Sequence, residues 1–153
     1  MMFGVFTERS QEAVRLANEE ALSFGKDALI ETHHLLLGLL KAGGPAAEVL
    51  RAHGITLRRV REVTERMGEC GDYQDRRGKL PMAESTKNVI ERALEEAQLL
   101  GVGQCVEAGH IVLGLLREQE GVAAKVFRDL AVDFDAIRRN VLISLEADAG
   151  PKP

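Results

Sequence analysis

The 153-residue chain is 45% hydrophobic and 29% charged, the composition of a soluble globular protein built round one core. Its 20 Lys+Arg against 24 Asp+Glu leave a formal charge of −4, which offers no global attraction to a phosphate backbone or an anionic membrane, so neither nucleic acid nor membrane is an expected partner. No run approaches the roughly 20 apolar residues of a membrane span, the first residues lack a signal peptide's basic segment, and Cys70 and Cys105 fit neither a zinc spacing nor a disulfide framework. The expected compartment is the cytoplasm.

Apolar residues recur at helical spacing through Ala13, Leu16, Ala17 and Ala21 and again through Val89, Ala93, Leu94 and Ala97, without strand-like alternation. In chain order the pattern predicts helices over roughly 7–24, 32–41, 45–53 and 56–67, then roughly 83–100, 109–118, 121–130 and 133–146. Thr7 and Thr56 are suited to N-capping, and Glu8 complements the positive end of the first helix. Gly25 and Gly101 stand where the long helices should stop, since glycine takes the left-handed conformation after a helix without penalty. Gly43-Gly44-Pro45 closes one helix and opens the next.

An offset of 76 pairs Glu8 with Glu84, Glu19-Glu20-Ala21 with Glu95-Glu96-Ala97, Gly25 with Gly101 and His34 with His110. One extra residue then shifts the offset to 77, pairing Ala46-Ala47 with Ala123-Ala124, Val60 with Ile137 and Arg51 with Arg128. The chain is therefore a tandem duplication. Its expected fold is all-α: two pseudo-twofold-related four-helix repeats packed as one compact domain over 1–146. The first repeat covers about 5–67, a polar, glycine-punctuated linker 68–80, the second repeat about 81–146, and 147–153 form a tail. A groove between such halves is a natural ligand site.

Phe6-Thr7-Glu8-Arg9, the two Glu-Glu-Ala triplets, the His-(Leu/Ile)-(Leu/Val)-Leu-Gly-Leu-Leu runs at 34–40 and 110–116, and Glu120-Gly121-Val122-Ala123-Ala124 together resemble the Clp repeat. The chain is similar over about 1–146 to the double Clp N-terminal domain of ClpC-type AAA+ unfoldases. The resemblance implies a helical module that binds protein substrates, adaptor proteins or cyclic peptides and has no chemistry of its own. Clp ATPase subunits are further implied partners, and a monomer is expected. The 153 residues contain no GxxxxGK[ST] phosphate loop. The favoured expectation is a free-standing Clp-repeat protein competing with the unfoldase for ligands, the other being the N-terminal part of a full-length ATPase.

The resemblance also implies two places for binding. Family repeats open their second helix with Gly-Thr-Glu-His, where phosphorylated arginine is recognised; helix amides suit a phosphate and a glutamate suits the guanidinium. Here the counterparts are Glu31-Thr32-His33-His34 and Glu107-Ala108-Gly109-His110. His33 and Gly109 replace the motif glutamates, and Glu31 and Glu107 replace the glycines, so phosphoarginine recognition is expected to be altered or lost. The second place is a hydrophobic patch for adaptors and peptides at Phe3, Met82, Lys87 and Glu91.

No catalytic, metal-binding or cofactor constellation emerges. His34 and His110 could be read as a facing acid and base, but each stands at a helix start before an apolar run, which suits a packing histidine that bonds a neighbouring helix. Arg58-Arg59-Val60-Arg61, interleaved with Glu62 and Glu65, is expected to be a solvated helix face.

Overall fold

The computed structural model describes residues 5–24, 29–68, 78, 80–99 and 105–148. Eight helices occur among them: α1 (Glu8–Phe24), α2 (Thr32–Ala42), α3 (Pro45–Ala52), α4 (Leu57–Arg66), α5 (Glu84–Leu99), α6 (Ala108–Arg117), α7 (Val122–Asp129) and α8 (Phe134–Asp148). The fold is all-α, as the helical periodicity predicts, and the boundaries differ from expectation by only a residue or two. Phe3, Cys70, the helix-closing glycines Gly25 and Gly101, and most of the linker lie outside the described residues.

The local stop and start signals act as their chemistry requires. The Thr56 side chain accepts the Arg59 N–H at 3.2 Å, and Thr7 Oγ1 accepts the Ser10 N–H at 3.3 Å, each satisfying an orphan donor of a first turn. Gly43 and Gly44 have φ of 74° and 89°, so two successive left-handed residues turn the chain between α2 and α3.

Helices α2 and α6 are the buried axes of the two repeats. Leu35, Leu36, Leu39 and Leu40 on α2 and Ile111, Leu113 and Leu115 on α6 are almost fully removed from water. Each axis packs against its long partner through small residues: Ala13, Ala17 and Ala21 on α1 face α2, while Val89, Ala93 and Ala97 on α5 face α6. At the tightest points a Cβ on Gly38 would lie 2.2 Å from the Ala13 carbonyl oxygen, and one on Gly114 would lie 2.6 Å from the Val89 oxygen. The backbones are thus in contact, and glycine is required at both positions.

The two halves are stitched by short parallel bridges. Phe6 pairs with Val106 and Ile30 with Met82, joining the segment before each repeat's first helix to the segment before the other repeat's second helix. Thr7 N–H donates to the Val106 carbonyl at 3.1 Å and Val106 N–H to the Val5 carbonyl at 2.8 Å; Ala83 N–H to Ile30 at 3.0 Å and Ile30 N–H to Pro81 at 2.9 Å repeat the pattern. Hydroxyls complete it, Ser10 Oγ donating to the Val106 carbonyl at 2.7 Å and Thr86 Oγ1 to the Ile30 carbonyl at 2.8 Å. Every one of these bonds maps onto its counterpart through the offset of 76.

Two substitutions test this account. Alanine normally stabilises a helix relative to glycine by up to about 1 kcal/mol. Gly38→Ala and Gly114→Ala are instead expected to destabilise by about 1–3 kcal/mol or more in urea denaturation, because the added methyl drives the paired helices apart. The turn between α7 and α8 carries Ala131 at φ 53°, where the first repeat has Gly54 at φ 81°. Ala131→Gly is expected to raise stability by about 1 kcal/mol in the same assay, by relieving the left-handed strain.

Candidate functional site

The residues that open α2 and α6 form matching caps. Glu31 and Glu107 are the N-cap residues, and in each case the backbone N–H donates to the Nδ1 of the histidine three residues on, His34 or His110, at 2.9 Å. The glutamate side chains meet the backbone of the same histidines, completing reciprocal capping boxes. A histidine thus performs the role that a glutamate or glutamine usually has in this motif. This differs from the expected bond to a neighbouring helix: both imidazoles are committed to their own helix starts. Nδ1 must be unprotonated to accept, so each ring carries its proton on Nε2.

His33 is 3% exposed, and its ring centroid lies 4.1 Å from that of His34. Its Nδ1 has no hydrogen-bond partner. Burial pushes His33 down to about 3, with the neighbouring His34 adding to the effect, and burial pushes His34 down to about 4 against the opposing pull of Glu20. His110 is lowered by burial too, opposed by Glu96. All three rings are neutral near pH 7.

Thr32 is fully buried, and its Oγ1 accepts the Ala123 N–H at 2.9 Å. Gly109 is buried under α8, where a Cβ would come within 2.9 Å of Leu145 and 3.2 Å of Val141. Glu31 and Glu107 are half-buried. The structure thus places Glu31, Thr32 and His33 at the start of α2 and Glu107 and Gly109 at the start of α6. A cavity of about 410 Å³ opens at the second of these places, lined by Thr7, Arg9, Ala46, Glu107, Gly109 and Leu145, among others. It collects residues from the starts of α1, α3 and α6 and from the end of α8.

On the other candidate surface, Met82 is half-buried against the core, while Lys87 and Glu91 are exposed one turn apart on α5. Phe3 lies outside the described residues.

Sequence reasoning missed a buried ion network in each half. Glu20, 6% exposed, meets Lys41 at 3.2 Å and Arg61. Its counterpart Glu96 meets Arg117 at 3.2 Å and Arg138 at 3.3 Å. Each glutamate ties the end of its repeat's second helix to its fourth. Arg58 does lie on a solvated face, paired with Glu62 at 3.1 Å, but Arg61 turns inward. The repeated Glu-Glu-Ala triplets were the available signal. Among the described residues no group of three His, Cys, Asp or Glu could hold a metal ion, and no helix is long and apolar enough to cross a membrane.

A duplicated four-helix module with cross-paired helix starts and two capped second helices defines an all-α Clp-repeat architecture. The family described as the Clp repeat (R) N-terminal domain matches residues 5–105, and the chain belongs to it. The negative regulator of genetic competence ClpC/MecB of Bacillus subtilis (strain 168) is 42% identical over 143 residues, covering 93% of this chain and 17% of the relative. The chaperone protein ClpB of Oceanobacillus iheyensis is 39% identical over 154 residues, covering 98% of this chain and 18% of the relative. The chain therefore spans less than a fifth of these relatives' length. Among solved structures, the N-terminal domain of the chaperone ClpD from Arabidopsis thaliana has a TM-score of 0.75 at 28% identity, covering 94% of this chain and 99% of that one. The Hsp104 N-terminal domain from Candida albicans shares the fold, with a TM-score of 0.69 at 16% identity over 90% of this chain and 89% of that one.

The buried histidines have a measurable consequence. An unfolded histidine binds a proton below about pH 6.5, whereas His33 and His34 stay neutral in the fold down to about pH 3 and 4. The unfolded state therefore binds more protons, and stability falls as pH drops through 6.5, levelling off only below the folded values. Between pH 6.5 and 5 the unfolding free energy should steepen toward a loss of about 1.4 kcal/mol per pH unit for each histidine. Urea denaturation across this range should show a shallower slope for His33→Gln; an identical slope would contradict the buried, neutral state of that ring.

Proposed function

We propose that the chain is a non-catalytic protein- and peptide-binding module of the Clp quality-control system, acting in the cytoplasm as a monomer. Family membership across nearly the whole chain carries this reading, together with a cavity at one of the two helix starts where the resemblance implies ligand recognition. Its ligands are segments of protein substrates, adaptor proteins or cyclic peptides. Glu31, Thr32, His33, Glu107 and Gly109 mark the helix-start sites. Phe3, Met82, Lys87 and Glu91 mark a separate adaptor or peptide patch, with Lys87 and Glu91 as its charged rim.

Recognition of phosphorylated arginine is altered or lost in this reading. Two observations favour that: the Thr32 hydroxyl is buried and already holds the Ala123 N–H, and the glutamates present are engaged in capping their own helices. Gly109 supplies no carboxylate for a guanidinium. Calorimetric titration with free phosphoarginine, using arginine and phosphoserine as controls, is expected to show no micromolar binding. Micromolar binding to phosphoarginine alone would mean that the displaced glutamates Glu31 and Glu107 rebuild the reader.

Acting as a separate chain, the module withholds ligands from a Clp unfoldase by competition. An excess of it over ClpC should slow degradation of a protein delivered through an adaptor several-fold while leaving basal ATP hydrolysis unchanged. Undiminished degradation at saturating excess would remove the competitor role.

A further inference from the structure

The capping histidines give the two second helices the same start, and the residue beside each histidine makes the starts unequal. In both, the imidazole Nδ1 accepts the N–H of the cap residue, Glu31 to His34 and Glu107 to His110, at 2.9 Å. That bond exists only while Nδ1 is free of a proton. A protonated ring turns N–H against N–H and sets a positive charge at the positive end of the helix. In the first repeat a second imidazole stands beside the cap. His33 is 3% exposed, its ring centroid lies 4.1 Å from that of His34, and its buried Nδ1 has no hydrogen-bond partner. The equivalent position in the second repeat is Gly109, packed under Leu145 and Val141. Acid therefore meets two buried imidazoles at the start of α2 and one at the start of α6.

The charged groups round the first pair are already engaged. From α1, Glu20 faces His34 but is held by Lys41 at the end of α2 and by Arg61 of α4. Ahead of α7, Glu118 accepts the Gly121 and Glu120 amides, and Glu31 caps α2 itself. From α5, the Thr86 hydroxyl meets the Ile30 carbonyl. The buried residues of α3 are apolar, and those of α6 are apolar apart from His110. Round His110 stand Glu107, the Glu96 of α5 held by Arg117 and by Arg138 of α8, and Glu8 and Arg9 of α1 across the cavity.

Glu31 directly follows Ile30, which carries one of the two bridges between the repeats. The Ile30 N–H donates to the Pro81 carbonyl at 2.9 Å, and its carbonyl accepts the Ala83 N–H at 3.0 Å. A helix start that releases its cap releases this bridge with it.

We propose that the first repeat carries an acid-sensitive latch: proton uptake by the stacked pair His33 and His34 opens the start of α2, and with it the bridge from Ile30 to Met82, before the start of α6 and the bridge from Phe6 to Val106 let go. Opening returns both rings to water, where an imidazole takes a proton below about pH 6.5. In the closed state each would be a charge out of water, next to a like charge and at the wrong end of a helix dipole. Burial holds both rings below the ordinary histidine range, so opening takes up protons and the closed state weakens as the pH falls. The latch belongs to the frame and is independent of which ligand the module takes.

Amide hydrogen exchange of the full chain, followed by NMR between pH 6.5 and 5 and expressed as protection factors, tests it. Carboxylates ordinarily titrate below this range. With two protons taken up on opening, protection at the Ile30, Glu31 and Ala83 amides should fall toward about a hundredfold per pH unit, ahead of core amides such as Leu39 and Leu115. With one proton, protection at the Thr7, Val106 and Glu107 amides should fall by about tenfold per pH unit at most. In the double variant His33→Gln with His34→Gln, the second glutamine caps without taking a proton, and the slope at the start of α2 should flatten while that at α6 stays. Equal slopes at the two starts of the unaltered chain, a comparison that needs no variant to fold, would overturn the latch. Loss at α2 only in step with Leu39 and Leu115, or a slope that survives the double substitution, would overturn it as well.

Discussion

The Val106 and Ile30 carbonyls each receive two hydrogen bonds from the opposite repeat, and neither could find them within its own. Val106 is fully buried and Ile30 nearly so, so an unmet carbonyl at either place would cost about 1–3 kcal/mol. The amide and hydroxyl that meet each one come from the start of the other repeat's first helix. Because this happens twice, α1 must start beside α6, and α5 beside α2. Any site at the start of a second helix is consequently composite, with one wall from each repeat. An isolated repeat would lose both the bonds and the second wall.

Within that frame the two halves differ in kind from place to place. The close approaches at Gly38 and Gly114, the alanine pairs Ala17/Ala93 and Ala21/Ala97 opposite them, the capping histidines and the glutamates Glu20 and Glu96 recur at the offset of 76, and the network partners Arg61 and Arg138 at 77. Their positions are buried, and a change at any of them opens a void, forces a clash or strands a charge. The differences gather at the helix-start junctions: Thr32 against Ala108, His33 against Gly109, Glu118 against Ala42, Arg9 against Ser85. A helix terminus satisfies its amides in several ways, with a hydroxyl, a carboxylate or solvent, so variation there leaves the frame standing. The duplication keeps what holds the fold and varies the helix starts, where several arrangements satisfy the same amides.

Much of this was legible in the sequence. The 3.6-residue periodicity, Thr7, Thr56 and Gly43-Gly44-Pro45 define helices within a residue or two of those observed, and the offset matched by Glu19-Glu20-Ala21 and Glu95-Glu96-Ala97 reveals the twofold repeat. The roles of particular residues were less legible, because they depend on partners far along the chain. Glu20 looks like an ordinary exposed acid of a charged helix until Lys41 and Arg61 are brought to it, and Arg61 looks like one of a solvated run for the same reason. Thr32 is a helix-start threonine in sequence; that its hydroxyl points to an amide 91 residues away is a fact of the packing. His34 was recognisable as structural, but an imidazole accepting from its own cap residue is a rare use of the ring, and spacing alone does not distinguish it from a bond to another helix.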